Sequence, residues 1–214
     1  MGTCVIFCAG EFDGLLRPIG AEDYVIAADG GLRHVRALGV TPDEILGDFD
    51  SLGYVPEGAT VYPVEKDDTD SMLAVRRGLA LGCRNFLLYG GMDGGRLDHT
   101  VANFQTLGYL AQQGAVGFLV GKDYFAAAVK DGALRFPASA EGDFSLFCLG
   151  PDAQGVSIRG LCYELEDATL TSFFPLGVSN HFTGREAEVS VKNGTLLALW
   201  ERKAGLPRQL GVRN

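Results

Sequence analysis

Two aspartates, Asp48 and Asp50, are separated by one residue in the segment LGDFDS, directly after a run of apolar residues. The segment EKDDTDS adds three more, Asp67, Asp68 and Asp70. Carboxylates packed this densely raise one another's pKa unless a cation neutralises them. Oxygen ligands without histidine or cysteine favour a hard ion, Mg²⁺ above all. We expect the first pair to share one ion, and the second group to complete another site or to hold metal-bound waters.

Basic residues and glycines near these aspartates predict contacts with phosphate. Lys66 would act as a point charge, and Arg96 as a bidentate fork. The glycines of GGMDGG would let backbone N–H groups approach phosphate oxygens. The pattern favours metal-assisted phosphoryl-type transfer, in which positioning and charge neutralisation dominate catalysis. The chain contains no Walker A, GxGxxG, HExxH or GxSxG motif.

The elements that must position these residues alternate between short apolar runs and helical patterns over about the first 125 residues, which is typical of a βαβ domain. Five apolar runs are predicted strands: TCVIFCAG, YVIAADGG, DEILGDFDS, ATVYPV and NFLLYGG. Ligands of such sheets bind beyond the carboxyl ends of the strands. Four loops rich in Asp or Gly should therefore meet at one edge, namely 28–31, 47–51, 66–70 and 90–100.

Three helices are predicted to follow these strands, the first of them the short segment GLRHVRALG, with Leu32, Val35 and Leu38 on one face. The segment DTDSMLAVRRGLALG begins with aspartate and threonine, which favour helix starts. The segment LDHTVANFQTLGYLAQQG has apolar residues at helical spacing and predicts one buried face. That face consists of Leu97, Val101, Phe104, Leu107 and Leu110.

After about residue 125 the helical periodicity disappears, and short strands separated by turn residues favour a β-sandwich or barrel. Asn193-Gly194, between two apolar runs, predicts a hairpin. The tail that begins at Lys203 is expected to be loosely docked. The predicted fold is thus α/β, with a mostly parallel sheet over 1–128, followed by an all-β sandwich over 129–214.

Composition and charge exclude several classes of function. The net charge of −9 argues against a nucleic-acid partner, because phosphate-backbone binding needs clustered Lys and Arg. No apolar stretch reaches the 18 residues that a membrane span needs, and the N-terminus lacks the basic region of a signal peptide. The 5 scattered cysteines do not form a disulfide framework. We therefore expect a cytoplasmic protein without a membrane partner.

The ordered set DGG, GDFDS, KDDTD and GGMDGGRLDHTVAN resembles the thiamine pyrophosphokinases, and GLCYEL and GVSNHF resemble the vitamin-binding domain of that family. The resemblance covers nearly the whole chain. It implies an α/β domain for ATP and Mg²⁺, a β-sandwich that helps to bind thiamine, and a homodimer with active sites at the interface. The implied reaction moves the terminal two phosphates of ATP, as a unit, to the hydroxyethyl group of thiamine and yields thiamine diphosphate and AMP.

The resemblance also implies roles for individual residues. Mg²⁺ would be held by Asp48, Asp50 and Asp70. Arg96 would steady the phosphate chain, and Asp98 would contact metal or substrate or accept the hydroxyl proton. Further contacts with the nucleotide are expected from Asp29, Gly30, Gly31, Ser51, Lys66, Asp67, Thr69, Gly90, Gly91 and His99. Thiamine contacts are expected from Ser179 and Asn180.

Several alternatives stay open at this point. The acceptor can be another hydroxyalkyl heterocycle, such as a hydroxymethyl-pterin. DFDS also resembles the Asp-x-Asp loops of Mg²⁺-dependent phosphohydrolases, although those follow the first strand. A thiamine-binding module without activity is a third reading. Ser51 and His99 can cap or pack instead, His181 stands where relatives often carry an acidic residue, and Trp200 is expected to pack in the sandwich rather than stack on thiamine.

Overall fold

The computed structural model describes residues 2–65 and 67–210. This part of the chain is rich in β-structure, with one large sheet that contains both parallel and antiparallel pairs and a second sheet that is antiparallel. The chain divides into two compact units: the first comprises 1–106 and 117–122, and the second 107–116 and 123–214. No helix in the described residues is both long and apolar enough to span a membrane.

Parallel strands position the loops of the first unit. Its strands are β1 (Cys4–Phe7), β2 (Tyr24–Ala28), β3 (Glu44–Gly47), β4 (Thr60–Val61), β5 (Asn85–Tyr89) and β6 (Val116–Val120), of which Val116 belongs to the second unit. Their order is β6-β5-β1-β2-β3-β4, and β1 pairs in parallel with both β2 and β5. The central strand β1 is buried along its whole length, as its continuous apolar run requires. All five predicted strands occur where the sequence places them.

Three helices follow these strands: α1 (Leu32–Ala37), α2 (Asp70–Ala80) and α3 (Leu97–Gln112). Thr69 caps α2, because its hydroxyl oxygen accepts a hydrogen bond from the Met72 N–H at 3.2 Å. The prediction of one continuous buried face on α3 is wrong for its first turns, since Leu97 is 76% and Val101 50% exposed. Polar Asn103 and Thr106 are buried instead.

A carboxylate ties the N-terminal residues to the start of β2. Asp23 accepts backbone hydrogen bonds from Thr3 at 3.0 Å and Gly20 at 2.8 Å, and two further bonds from the Arg17 guanidinium at 2.6 and 3.0 Å. The Arg17 hydrogen bonds, opposed by burial and assisted by the backbone donors, lower the pKa of Asp23 from 3.8 to about 2. The ionised carboxylate therefore stabilises the folded chain.

Asp23→Asn is expected to lower the free energy of unfolding by about 2 kcal/mol at pH 7. Because the pKa is lower in the folded state, this contribution is complete above about pH 4 and is lost as the pH falls toward 2. Urea unfolding of wild type and variant at a series of pH values measures the difference. Glu22→Gln, at an exposed neighbouring position, is the control and should change little. A pH-independent gap between wild type and Asp23→Asn would contradict this account.

Antiparallel strands dominate the second unit. They are β7 (Tyr124–Lys130), β8 (Ala133–Phe136), β9 (Asp143–Cys148), β10 (Ala153–Arg159), β11 (Leu165–Leu170), β12 (Gly177–His181), β13 (Ala187–Ser190), β14 (Thr195–Glu201) and β15 (Arg208–Leu210). Four of them lie in the order β12-β9-β14-β7, and five in the order β11-β10-β13-β8-β15. Aromatic rings pack between these two groups of strands. The centre of the Phe136 ring on β8 lies 5.8 Å from that of Phe144 on β9 and 5.3 Å from that of Trp200 on β14. The packed position predicted for Trp200 is confirmed, because this side chain is fully buried.

Two predictions for the second unit are wrong. Asn193-Gly194 does not close a hairpin, because β13 pairs with β10 and β8, whereas β14 pairs with β7 and β9. All seven residues of β14 pair with β7, and this long-range pairing overrides the local preference of Asn193-Gly194 for a hairpin turn. Asp131 also holds this turn, because its carboxylate accepts from the Gly194 N–H at 2.9 Å. The tail is not loose as far as Leu210, since β15 pairs with β8, and the part of this prediction that concerns 211–214 lies outside the described residues.

Candidate active site

A cavity of about 480 Å³ lies in the first unit, where the loops that follow β1, β2, β3 and β5 meet the N-termini of α2 and α3. Its volume is in the range of small-molecule sites. The loops predicted to gather at one sheet edge therefore do so. Ten of the predicted residues line the cavity, namely Asp29, Asp48, Asp50, Ser51, Thr69, Asp70, Gly90, Gly91, Arg96 and His99.

Other predicted residues lie elsewhere. Gly30, Gly31, Asp67 and Asp98 are not part of the cavity wall, Ser179 and Asn180 are in the second unit, and Lys66 is outside the described residues. Gly31 is required for packing, because a Cβ there would lie 1.9 Å from the Phe7 carbonyl oxygen. A Cβ at Gly30 would lie 2.8 Å from the Ser51 hydroxyl oxygen. Both glycines let the loop after β2 approach its neighbours.

Three carboxylates come together at the cavity. Asp29, Asp48 and Asp50 each offer one oxygen, and these oxygens all lie within 4.8 Å of one another. Asp29 is only 6% exposed; its Oδ2 accepts a hydrogen bond from the Ser51 hydroxyl, and its Oδ1 has no hydrogen-bond partner in the described part of the chain. Asp70 lines the same cavity but lies outside this group. A buried, unpartnered carboxylate oxygen beside two more carboxylates suits a hard cation.

The residue between two of these aspartates anchors them. Phe49 is 2% exposed and has a φ of +61°, a left-handed conformation that is uncommon for a bulky residue. Its carbonyl oxygen accepts from the Leu52 and Gly53 N–H groups, which closes the turn. The Asp50 N–H donates to Asp48 Oδ1 at 3.2 Å. The buried ring thus fixes the turn that presents both carboxylates to the cavity.

The cavity is strongly acidic. Five carboxylates line it, from Asp29, Asp48, Asp50, Asp68 and Asp70, whereas Arg96 is the one Lys or Arg among its described lining residues. An anionic ligand such as a nucleoside triphosphate would be repelled by these carboxylates unless a cation lay between the ligand and the carboxylates. The charge distribution therefore calls for a divalent ion together with any phosphate ligand.

Arg96 forms a bidentate pair with Asp98. Its Nε donates to Oδ1 at 3.0 Å and its Nη2 to Oδ2 at 2.6 Å, and both side chains are exposed. The Arg96 hydrogen bonds lower the pKa of Asp98 from 3.8 to about 2. Asp98 is therefore ionised at neutral pH, and it holds the guanidinium at the cavity wall.

Cys8 also lines the cavity but has no reactive thiolate. Burial, together with the negative charge of Asp70, raises the pKa of its thiol to about 12. The thiol is consequently neutral at physiological pH, and neither nucleophilic catalysis nor thiolate ligation is expected from it.

The side chain of Asn180, predicted to contact thiamine, organises the backbone of the second unit. It is 3% exposed, and its Oδ1 accepts from the N–H groups of Tyr163 at 3.0 Å and His181 at 2.9 Å. Its Nδ2 donates to the Tyr163 carbonyl oxygen at 2.7 Å. Ser179 beside it is exposed and has a φ of +61°. The exposed Tyr163 ring, which sequence reasoning missed, meets the His181 ring edge-on at 6.3 Å.

Sequence reasoning also missed Ser71 and Asn103, two buried polar residues in the cavity wall. The available signal was an asparagine within the apolar part of the helix pattern of α3. Such a residue needs hydrogen-bond partners when it is buried.

Comparisons with known proteins identify relatives along most of the chain. The family model "Thiamin pyrophosphokinase, catalytic domain" matches residues 17–116, and "Thiamin pyrophosphokinase, vitamin B1 binding domain" matches residues 134–196, which together make about three quarters of the chain. A search of curated protein sequences gives no match.

Solved structures of thiamine pyrophosphokinases have a similar fold. The one from Bacillus subtilis is 23% identical, with a TM-score of 0.80 over 94% of this chain and 99% of that one. The one from Geobacillus thermodenitrificans is 21% identical, with a TM-score of 0.77 over 94% and 97%. The yeast structure is 14% identical, with a TM-score of 0.68 over 93% and 86%. At these identities the likeness concerns the fold.

Proposed function

The chain belongs to the thiamin pyrophosphokinase family, and we propose that the acidic cavity of its first unit is where the family's reaction takes place. The enzyme transfers the terminal two phosphates of ATP, as one group, to the hydroxyethyl oxygen of thiamine and releases AMP. The observation that carries the assignment of the cavity is the close group of Asp29, Asp48 and Asp50.

We propose that Mg²⁺ is the ion held there. Asp48, Asp50 and Asp70 are the proposed ligands, and the buried Oδ1 of Asp29, which has no hydrogen-bond partner among the described residues, supports its addition to them. Asp70, on the same cavity, would bind the ion or orient its water ligands. When bound, Mg²⁺ would neutralise charge on the phosphate chain.

The protein's own residues would orient the phosphates and the acceptor. In the reaction, the thiamine hydroxyl oxygen bonds to the β-phosphorus, the bond between that phosphorus and the oxygen of AMP breaks, and the hydroxyl proton passes to a base. Arg96 would contact the phosphates through its guanidinium fork. The low pKa of Asp98 makes it a weak base, which favours a role in orienting Arg96.

Nucleotide contacts are proposed for the remaining predicted residues of the cavity wall, namely Ser51, Thr69, Gly90, Gly91 and His99. Gly90 has a φ of +66°, and a Cβ there would lie 2.6 Å from the Cys8 carbonyl oxygen. A side chain at this position would therefore disturb the loop that we expect to approach the phosphates.

The second unit is proposed to be the sandwich that binds thiamine. Ser179, exposed on β12, would contact the pyrimidine, while Asn180 would act mainly by holding the turn that carries Tyr163. The exposed Tyr163 and His181 rings offer aromatic surface for a cationic heterocycle.

We propose that the protein is a homodimer whose active sites use both chains. Each unit leaves large apolar side chains exposed: Val64 and Leu97 in the first are 66% and 76% exposed, and Phe173 and Phe174 in the second are 95% and 67% exposed. Such surface is typical of contact with a partner. Light scattering should give about twice the 22.8 kDa mass of the chain.

Nucleotide product analysis with Mg²⁺ and ATP, with and without thiamine, tests the proposed function. We expect AMP that depends on thiamine, and no ADP, because the bond that breaks joins the α- and β-phosphates. Phosphate or ADP released regardless of thiamine would instead indicate a phosphohydrolase. Thiamine-independent AMP formation with a hydroxymethyl-pterin would indicate a different acceptor.

A further inference from the structure

A chain of side-chain hydrogen bonds runs through the wall of the cavity. The hydroxyl oxygens of Thr69 and Ser71 lie 3.0 Å apart, and the Ser71 hydroxyl donates to Asn103 Oδ1 at 2.6 Å. Asn103 Nδ2 donates to the Gly91 carbonyl oxygen at 2.8 Å. Ser71 is 8% and Asn103 4% exposed, and all four residues line the cavity.

The direction of each bond in this chain is fixed. The Gly91 carbonyl only accepts, so the amide nitrogen of Asn103 must face it, and Oδ1 must face Ser71. Because Oδ1 only accepts, the single hydrogen of the Ser71 hydroxyl is used there. Thr69 must then donate to Ser71, while its own oxygen accepts from the Met72 N–H. One orientation of the side chains therefore satisfies every bond.

These hydrogen bonds join three segments of the protein, because the bonded residues Ser71 and Asn103 are 32 positions apart in sequence and Asn103 and Gly91 are 12 apart. Thr69 and Ser71 flank Asp70 at the start of α2, Gly91 belongs to the glycine loop after β5, and Asn103 lies on α3. The bond to Gly91 also sets the plane of the Gly91–Met92 peptide, because that unit is rigid. A Cβ at Gly91 would lie 2.5 Å from Leu119 Cδ2, so that the buried Leu119 side chain would have to shift.

We propose that Asn103 is a positioning residue for the nucleotide. Its bond to Ser71 fixes the start of α2, which carries Asp70. Its bond to Gly91 fixes the glycine loop that follows β5. Loss of either bond leaves a buried polar group unsatisfied and frees the two segments from each other. The inference rests on the proposed function only in that a nucleotide occupies this cavity.

Binding of the inert analogue α,β-methylene-ATP in the presence of Mg²⁺, measured by calorimetry, tests this role without turnover. Asn103→Ala removes the hydrogen bonds to Ser71 and to Gly91 and adds no charge to the acidic cavity wall. We expect its Kd to rise about tenfold or more, together with the KM for ATP, while the KM for thiamine changes less. Ser71→Ala should weaken binding in the same way. Ser71→Thr keeps the hydroxyl and should bind the analogue about as tightly as wild type.

Thr106→Val is the matched control. Thr106 is also a buried polar residue of α3, but its hydroxyl donates within the helix to the Ala102 carbonyl oxygen, and it does not line the cavity. Its variant should lower the melting temperature and leave the Kd within about twofold of wild type. If Asn103→Ala and Ser71→Ala behave like this control, the positioning role is wrong.

A double-mutant cycle adds a readout that a merely structural role would not produce. If Ser71 and Asn103 act on nucleotide binding through the same series of hydrogen bonds, the double variant Ser71→Ala/Asn103→Ala weakens binding no more than the larger single change. Additive effects of the two substitutions on the Kd would contradict a shared positioning role. Wild type that binds the analogue but forms no thiamine-dependent AMP would overturn the proposed function alone. Wild type that does not bind the analogue would overturn both.

Discussion

Replacement of Asp50 by asparagine is expected to lower kcat at least about a thousandfold, equivalent to about 4 kcal/mol of transition-state stabilisation. The substitution removes one of three clustered carboxylates and keeps the shape of the side chain. Asp50 is exposed, and its backbone N–H can still donate to Asp48. The melting temperature should therefore stay near that of wild type. Thiamine-dependent formation of AMP and thermal unfolding measure the two quantities.

Glu57→Gln provides the comparison for this variant. It removes a negative charge from an exposed residue of the same unit that does not line the cavity. Turnover by Glu57→Gln should be unchanged. Near-wild-type turnover by Asp50→Asn would show that this carboxylate does not belong to the active site.

Arg96→Ala is expected to lower kcat/KM for ATP about a hundredfold or more, because it removes the one Lys or Arg side chain in the described cavity wall. It also leaves Asp98 without the partner that lowers its pKa. Arg96→Lys should recover only part of the loss, since a lysine keeps the charge but not the bidentate fork. Steady-state kinetics with ATP varied at saturating thiamine measures both variants.

The Arg159–Glu166 pair on the second unit serves as the control for the loss of an exposed ion pair. Arg159 Nη2 donates to both Glu166 oxygens at 2.9 and 3.0 Å, and both side chains are about as exposed as those of Arg96 and Asp98. Surface pairs of this kind contribute about 0–1 kcal/mol to stability. If Arg96→Ala has as little effect on kcat/KM as Arg159→Ala, Arg96 does not contact the phosphates.

The place of the site in the fold could be predicted because it depends on local pattern. Each acidic or glycine-rich loop follows a short apolar run, and parallel strands bring their carboxyl ends to one edge. The start of α2 at Thr69 was likewise readable from capping chemistry. Which carboxylates group together was harder to predict. Asp29 joins Asp48 and Asp50 because β2 and β3 are neighbours in the sheet, and spacing along the chain does not reveal this pairing.

Predictions failed where long-range contacts override local signals. Asn193-Gly194 has the residues of a hairpin turn, but the strands on either side pair with other strands in two different sheets. β13 pairs with β10, and β14 pairs with β7. Leu97 and Val101 fit the apolar period of α3, yet its first turns border the cavity, to which Arg96, His99 and Thr100 contribute. Asn103 shows the converse, a polar residue that is buried because Ser71 and Gly91 supply its partners.

The most direct test of the central claim is the effect of Mg²⁺ on the binding of α,β-methylene-ATP to wild type and to the double variant Asp48→Asn/Asp50→Asn. In wild type, Mg²⁺ should strengthen binding at least about a hundredfold, because the carboxylates repel the bare phosphates and attract the ion. In the double variant this gain should disappear, and binding in the presence of a chelator should be tighter than in wild type. An equal dependence on Mg²⁺ in both proteins would contradict the assignment of these carboxylates to the metal.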